Sequence, residues 1–288
     1  MKIGFIGLGL MGSRMANNLL KKGNMLFVFN RTKEKAKNLT EKGAVFCDSI
    51  AELALQSEVL ITMLTAPDVV EQAALGTDGF LNSLEKNSIW IDCSTVNPEF
   101  SKLMATQSEQ KGIHFLDAPV SGTITPAEKG ELTFLIGGNK EDVEFCMPLF
   151  ESMGKKILHV GENGKGTALK MVINLLLGQA ITGFSEGLLL GESLGISKQT
   201  LLDILLGGPV AAPFLSGKKN KFLQNNFETE FPLQLMLKDL RLALSEAKSK
   251  NIILPLTAGA EEIFKFADEA GMGEDDFSAV YKFLNGGR

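Results

Sequence analysis

Lys170 and Asn174 stand four residues apart in the run Gly164-Lys165-Gly166-Thr167-Ala168-Leu169-Lys170-Met171-Val172-Ile173-Asn174. On a helix that spacing puts an ammonium and a carboxamide on one face. A lysine ammonium can stabilise a developing alkoxide and supply its proton. An amide cannot titrate, but it can bridge the lysine and a substrate oxygen. The neighbouring residues Val172, Ile173, Leu175, Leu176 and Leu177 are apolar. An ammonium against such a surface either snorkels outward or is kept because a site needs its proton. The helix by itself leaves both readings open.

A second chemical feature lies at the other end of the chain. Gly7-Leu8-Gly9-Leu10-Met11-Gly12 fits G-x-G-x-x-G, between an apolar strand-like run and an amphipathic helical one. Gly7 permits a tight turn, Gly9 lets a pyrophosphate approach the backbone, and Gly12 lets helix and strand pack closely. Free N–H groups at the helix start then face the phosphates, so residues 7–12 are the expected dinucleotide cradle. An acidic residue at the end of the second strand would select NAD. This chain reads Phe29-Asn30-Arg31-Thr32 there, followed by Lys33 and Lys35. Asn30, Arg31, Thr32 and Lys35 can surround a 2′-phosphate with charge-assisted bonds, which favours NADP. The alternative is that Arg31 stacks on adenine while NAD binds.

Two more segments end apolar runs, where ligands bind in open α/β sheets. Met63 and Leu64 in Met63-Leu64-Thr65-Ala66-Pro67 are expected on the adenosine-ribose side. In Asp92-Cys93-Ser94-Thr95-Val96-Asn97-Pro98, Thr95 is placed to reach the nicotinamide ribose and Asn97 to cap the next helix.

These residues need a scaffold, and the first half of the chain supplies the pattern of a parallel α/β sheet. Strands are predicted at Lys2–Ile6, Met25–Phe29, Ala44–Phe46, Val59–Met63, Ser88–Asp92 and His114–Asp117, then Leu132–Gly137 and Lys156–His159. Helices are predicted at Met11–Lys21, Lys33–Lys42, Ile50–Ala54, Pro98–Lys111 and Lys140–Glu151. After Gly164 the strand runs largely disappear. One long helical pattern runs from about Gly166 to Leu194, with shorter ones at Ser197–Leu206, Pro213–Lys219, Pro232–Asn251, Leu254–Ala270 and Asp276–Asn285. The domain boundary is expected at 163/164.

Composition narrows the function classes. The 288 residues carry a net charge of -5, which argues against general nucleic-acid binding. Three scattered cysteines and two histidines offer no disulfide framework or metal site. The uncharged stretch from Met171 to Ser185 falls short of the ~20 residues that span a bilayer. With no leader pattern at the start, a cytoplasmic protein without a membrane segment is expected.

Residues 7–12 and 92–98, Asp117-Ala118-Pro119-Val120-Ser121-Gly122, Gly164–Asn174 and Lys238-Asp239-Leu240 together resemble the β-hydroxyacid dehydrogenase family over essentially the whole chain. Phe231-Pro232-Leu233 and Asn30-Arg31-Thr32 point to its glyoxylate/succinic semialdehyde reductase branch. The resemblance implies an α/β Rossmann-type N-terminal domain and an all-α C-terminal domain joined by a long interdomain helix, with the site in the cleft between them. It implies that Lys170 is catalytic and that Asn174 orients substrate and lysine. Ser121, Gly122 and Thr123 would hold a substrate carboxylate. Lys238 would close over cofactor or substrate, with Phe231 and Asp239 lining the pocket. Thr123 departs from the glycine or serine usual after Ser-Gly. The expected activity is NADPH-dependent reduction of small carboxylated aldehydes to hydroxyacids by a homodimer or homotetramer. The rivals are an NAD-dependent 3-hydroxyisobutyrate or tartronate semialdehyde enzyme and, in another class, a non-catalytic NADP-binding interaction module.

Overall fold

The computed structural model describes residues 1–287, which form two compact units dividing after Met171. In the first, nine strands build one sheet: β1 (Lys2–Ile6), β2 (Met25–Phe29), β3 (Val45–Phe46), β4 (Val59–Thr62), β5 (Ile89–Asp92), β6 (His114–Asp117), β7 (Val120–Ser121), β8 (Leu132–Gly137) and β9 (Gly154–Gly161). The strand order is β3-β2-β1-β4-β5-β6-β8-β7, with β9 also paired to β8. Strands β1 to β6 are mutually parallel, and the order reverses between β1 and β4. Side chains alternate across the pleat. Ile3, Phe5, Val28, Ile61 and Ile91 therefore pack into one core, and Ile6, Phe27, Leu60 and Trp90 into another.

The sheet departs from the parallel pattern at its far side. β8 runs antiparallel to β6 and to the short β7, which the sequence pattern did not show. Ten residues, 122–131, separate β7 from β8, and six of them form the helix Ile124–Lys129. So short a link suits antiparallel neighbours, whereas a parallel crossover needs a dozen residues or more. β9 then restores a parallel pair with β8 and extends beyond its predicted span.

The expected helix Lys33–Lys42 is instead a 3-10 turn, Lys33–Ala36, followed by the single turn Lys37–Thr40. Only Ala36 and Leu39 of that charged run are buried, too little apolar surface to hold a longer helix. Lys33 is drawn away to Asp48, 2.9 Å from Oδ1, and sits over the Phe46 ring. In the second unit, Pro213–Lys218 is likewise a 3-10 helix leading into Lys219–Gln224. The helix expected over Leu254–Ala270 stops as an α-helix at Ala267. The following π turn breaks at Gly271, whose φ is 85°.

The second unit is otherwise helical, around a core that includes Ile181, Leu188, Phe222, Met236, Phe264 and Tyr281. The long helix, Lys165–Ser193, begins in the first unit and continues into the second. At 29 residues it meets the length and composition of a membrane span, contrary to the expectation drawn from its uncharged stretch. Its buried positions include Thr167, Lys170, Asn174, Gly178, Ile181, Ser185 and Leu188. Their spacing of three and four makes one stripe, the pattern of a helix with one face in a protein core.

Candidate active site

Parallel register places the carboxyl ends of five strands in one row. Phe29 pairs with Ile6, Ile6 with Thr62, Thr62 with Asp92, and Asp92 with Asp117. The loops that leave this row carry the dinucleotide motif, Met63-Leu64 and Ser94-Thr95, while the chain leaving β6 passes Ala118-Pro119 into β7 and on to Gly122-Thr123. That edge is where open α/β sheets bind ligands.

The glycine loop is built by close approach. Gly7 has φ 100°, and a Cβ there would lie 2.3 Å from the Met63 carbonyl oxygen. A Cβ on Gly12 would lie 1.9 Å from the Gly7 oxygen, so strand and helix could not meet. A Cβ on Gly9 would meet nothing within 4 Å, and Leu10 beside it is exposed. Open backbone between two tightly packed glycines fits a dinucleotide pyrophosphate. The amide of Asn30 is already engaged: Oδ1 accepts from Leu8 N at 2.9 Å, and Nδ2 donates to Thr32 O at 2.8 Å. It thus braces the loop from the end of β2, while Arg31, Thr32 and Lys35 are exposed beyond it.

The β4 and β5 ends are cross-tied. Trp90 Nε1 donates to Thr62 Oγ1, which donates to Asp92 Oδ1 at 2.8 Å. Leu64 N donates to Ser94 Oγ at 2.9 Å. Ser94 is therefore a buried brace, and Met63, Leu64 and Thr95 are half-buried around it. Asn97 occupies the cap position of helix Pro98–Gln110, but its side chain makes no capping bond, which corrects the capping role expected for it. Pro98 opens that helix and has no N–H to satisfy. Burial raises the pKa of Asp92 above the ordinary aspartate range, against the hydrogen bonds from Ser94 and Thr62.

Ser121 is not in a free loop. It ends β7 and pairs with Thr133 of β8, and Gly122 follows with φ 132°. Ser121 and Thr123 are half-buried and Gly122 is exposed. Lys170 lies in the buried stripe of the long helix, 8% exposed, and so does not snorkel. Asn174 is one turn further along the same uninterrupted helix. Its Nδ2 donates to Asp239 Oδ2 at 2.6 Å. Its buried Oδ1 accepts no hydrogen bond among the described residues.

Within the second unit the structure joins Asn174, Asp239 and Lys238, whose Nζ is 2.9 Å from Asp239 Oδ1. Phe231 belongs to a different arrangement. Its ring packs 5.5 Å from that of Phe277 at the edge of the helical core, and its N–H donates to Asp276 Oδ2. Asp276 also pairs with the buried Lys218 at 2.9 Å, a network that sequence reading missed. Asp276 lies 58 residues from Lys218 and 45 from Phe231, so no local pattern marks the network. Asp117 was missed as well, although it ends a predicted strand inside a recognised motif. Among the described residues, no cluster of three or more His, Cys, Asp or Glu could hold a metal.

A parallel sheet with a switch point, a glycine loop beside it and a lysine-bearing helix at the same edge define an NAD(P)-dependent oxidoreductase. The family described as the NAD binding domain of 6-phosphogluconate dehydrogenase matches residues 2–161. The one described as NAD-binding of NADP-dependent 3-hydroxyisobutyrate dehydrogenase matches residues 164–284. The chain is 38% identical to glyoxylate/succinic semialdehyde reductase 1 of Arabidopsis thaliana over 280 residues, 97% of each. It superposes on Mycobacterium tuberculosis 3-hydroxyisobutyrate dehydrogenase with L-serine at a TM-score of 0.88 and 31% identity, covering 98% of each chain. For Psf3 in complex with NADP+ and 2-OPP the TM-score is 0.91 and the identity 28%, over 98% of this chain and 99% of that one. The chain belongs to the β-hydroxyacid dehydrogenase family.

Proposed function

We propose that the protein is an NADPH-dependent reductase of small carboxylated aldehydes, with glyoxylate and succinic semialdehyde as its leading substrates and Lys170 as proton donor. The observation that carries this is the burial of Lys170 on the helix face that also bears Asn174. The bound nicotinamide would supply the hydride to the aldehyde carbon. Lys170 Nζ would stabilise the oxygen as it becomes an alkoxide and then give up a proton to it, leaving the hydroxyacid and a neutral amine. Asn174, whose Oδ1 is left an open acceptor, would hold the ammonium or the substrate hydroxyl in line. Ser121, Gly122 and Thr123 would take the carboxylate through hydroxyls and backbone N–H groups. Arg31, with Thr32 and Lys35, would meet the 2′-phosphate, while Lys238 would close on the cofactor.

The similarity to the Arabidopsis reductase supports the substrate class. We assign residues 1–163 to dinucleotide binding and 164–288 to substrate binding and oligomerisation. The protein would act in the cytoplasm as a homodimer or homotetramer, with a partner covering the exposed Val172, Leu176 and Leu190. The deciding experiment compares initial rates for glyoxylate, succinic semialdehyde and methylmalonate semialdehyde with NADPH and NADH. Preference for methylmalonate semialdehyde with NADH would favour the 3-hydroxyisobutyrate type of enzyme. NADPH binding without turnover of any aldehyde would favour a binding module. Lys170→Ala should slow the chemical step by about 10²–10⁴-fold with NADPH affinity nearly unchanged.

A further inference from the structure

The start of the long helix is fastened to the sheet by one buried carboxylate. Asp117, at the end of β6, accepts from Gly164 N at 2.7 Å, from Thr167 N at 2.9 Å and from Thr167 Oγ1 at 3.1 Å. The backbone N–H groups of a helix start lack partners within the helix. Here two of them, at the junction and in the first turn, are satisfied by a side chain some 50 residues earlier in the chain (separations of 47 and 50). Ser101 Oγ lies 2.9 Å from Thr167 Oγ1 and ties the same turn to helix Pro98–Gln110.

Steric contact sets the depth of this junction. A Cβ on Gly166 would lie 2.2 Å from the Leu135 oxygen and 2.8 Å from the Asp117 oxygen. The first turn therefore rests directly on the backbone of β8 and β6, and only glycine fits there. Gly164 turns the chain into the helix with φ 88°. Lys170 follows Thr167 by three residues and lies in the same buried stripe. Rotation or sliding of the first turn would move its ammonium by a similar amount. Asp117 also begins Asp117-Ala118-Pro119-Val120-Ser121-Gly122, so one residue connects the helix start to the segment that leads to Ser121.

We propose that Asp117 and Thr167 are positioning residues for Lys170: their hydrogen bonds, with the contact at Gly166, set the axial position and rotation at which the proton donor is presented. The inference rests on the reading of Lys170 as that donor. Asp117 itself donates no proton to substrate. Its carboxylate is spent on the helix start, and burial raises its pKa against the lowering effect of the Gly164 and Thr167 N–H groups.

The test is a double-mutant cycle on single-turnover reduction with saturating NADPH and aldehyde. Asp117→Asn and Thr167→Val should each slow the step by about 10–100-fold, the scale of a small misplacement of a reacting group, with NADPH affinity unchanged. Thr167→Ser, which keeps the hydroxyl, should restore the rate to within about threefold even where its Tm is lowered. In the Lys170→Ala background, Asp117→Asn should cost less than about twofold, because residues acting through one group are not additive. Full, additive losses in that background would overturn the proposal, as would a wild-type rate for Thr167→Val. If Asp117→Asn does not fold, the Thr167 pair decides in both backgrounds. Activity unchanged by Lys170→Ala would defeat the catalytic reading itself, a result distinguishable from additive losses.

Discussion

Arg31 and Asn30 are adjacent, yet they do different work. Asn30 spends its amide on Leu8 N and Thr32 O, holding the glycine loop to the end of β2. Arg31 is exposed beyond that brace. A guanidinium bonded to a phosphate contributes about 1.5–3 kcal/mol. Arg31→Ala should therefore raise the NADPH dissociation constant by about 10–100-fold and leave that for NADH within about threefold. Fluorescence titration of both reduced cofactors measures this, and equal losses would mean that Arg31 stacks on adenine. The candidate site residues stood out in the sequence because their types are chemically unusual in context, such as a lysine among leucines or a glycine triplet after a strand. The partners that hold them were not legible. Nothing local to Asn174 announces Asp239, and nothing local to Thr167 announces Asp117.

At the scale of elements, the dinucleotide loop depends on how closely β1 and the helix Gly12–Lys21 approach. Inside an ordinary helix, Gly→Ala stabilises by about 0.8–1 kcal/mol. At Gly12 the added carbon would stand 1.9 Å from the Gly7 oxygen, so repulsion outweighs propensity. Gly12→Ala should lower stability by about 1–3 kcal/mol, the usual cost of overpacking, and weaken dinucleotide binding with it. Thermal melts with and without NADPH give both effects, and a raised Tm with intact binding would refute the close-approach argument. Element boundaries were readable where an apolar period met a strong punctuator, as at Pro98 or Gly195. They failed at Lys33–Lys42, where charge was dense and burial slight. They failed also at β7, where two residues are a strand only because β8 lies beside them.

For the molecule as a whole, the paired aspartates at the ends of β5 and β6 make folding stability depend on pH. Burial lifts the folded-state pKa of Asp92 above the 3.8 of an exposed aspartate, and the charge of Asp117 adds to the rise. Below 3.8 the folded and unfolded chains both hold this proton. As pH climbs past that value the unfolded chain releases it first, so stability is lost until the folded-state pKa is passed. Asp92→Asn removes the charge that must be buried at neutral pH. It should raise Tm at pH 8, where the wild-type chain must bury that charge. The gain should vanish near pH 3. Scanning calorimetry across that range checks the sign, and a gain independent of pH would point to packing instead.

The sequence by itself determined most of the strands and the long helices in their order, the glycine loop, the position of Lys170 and the family to which these belong. All of these rest on residue type and short spacings, which are local. Only the tertiary structure decided that Lys170 is buried, that Asn30 is a brace, that Asp239 holds the Asn174 amide and that Asp117 fastens the helix start. Those facts depend on residues between about 20 and 65 positions apart (from 22 for Leu8 and Asn30 to 65 for Asn174 and Asp239) meeting across a folded chain. A one-dimensional period carries no record of such meetings, because sheet register and helix docking choose the partners.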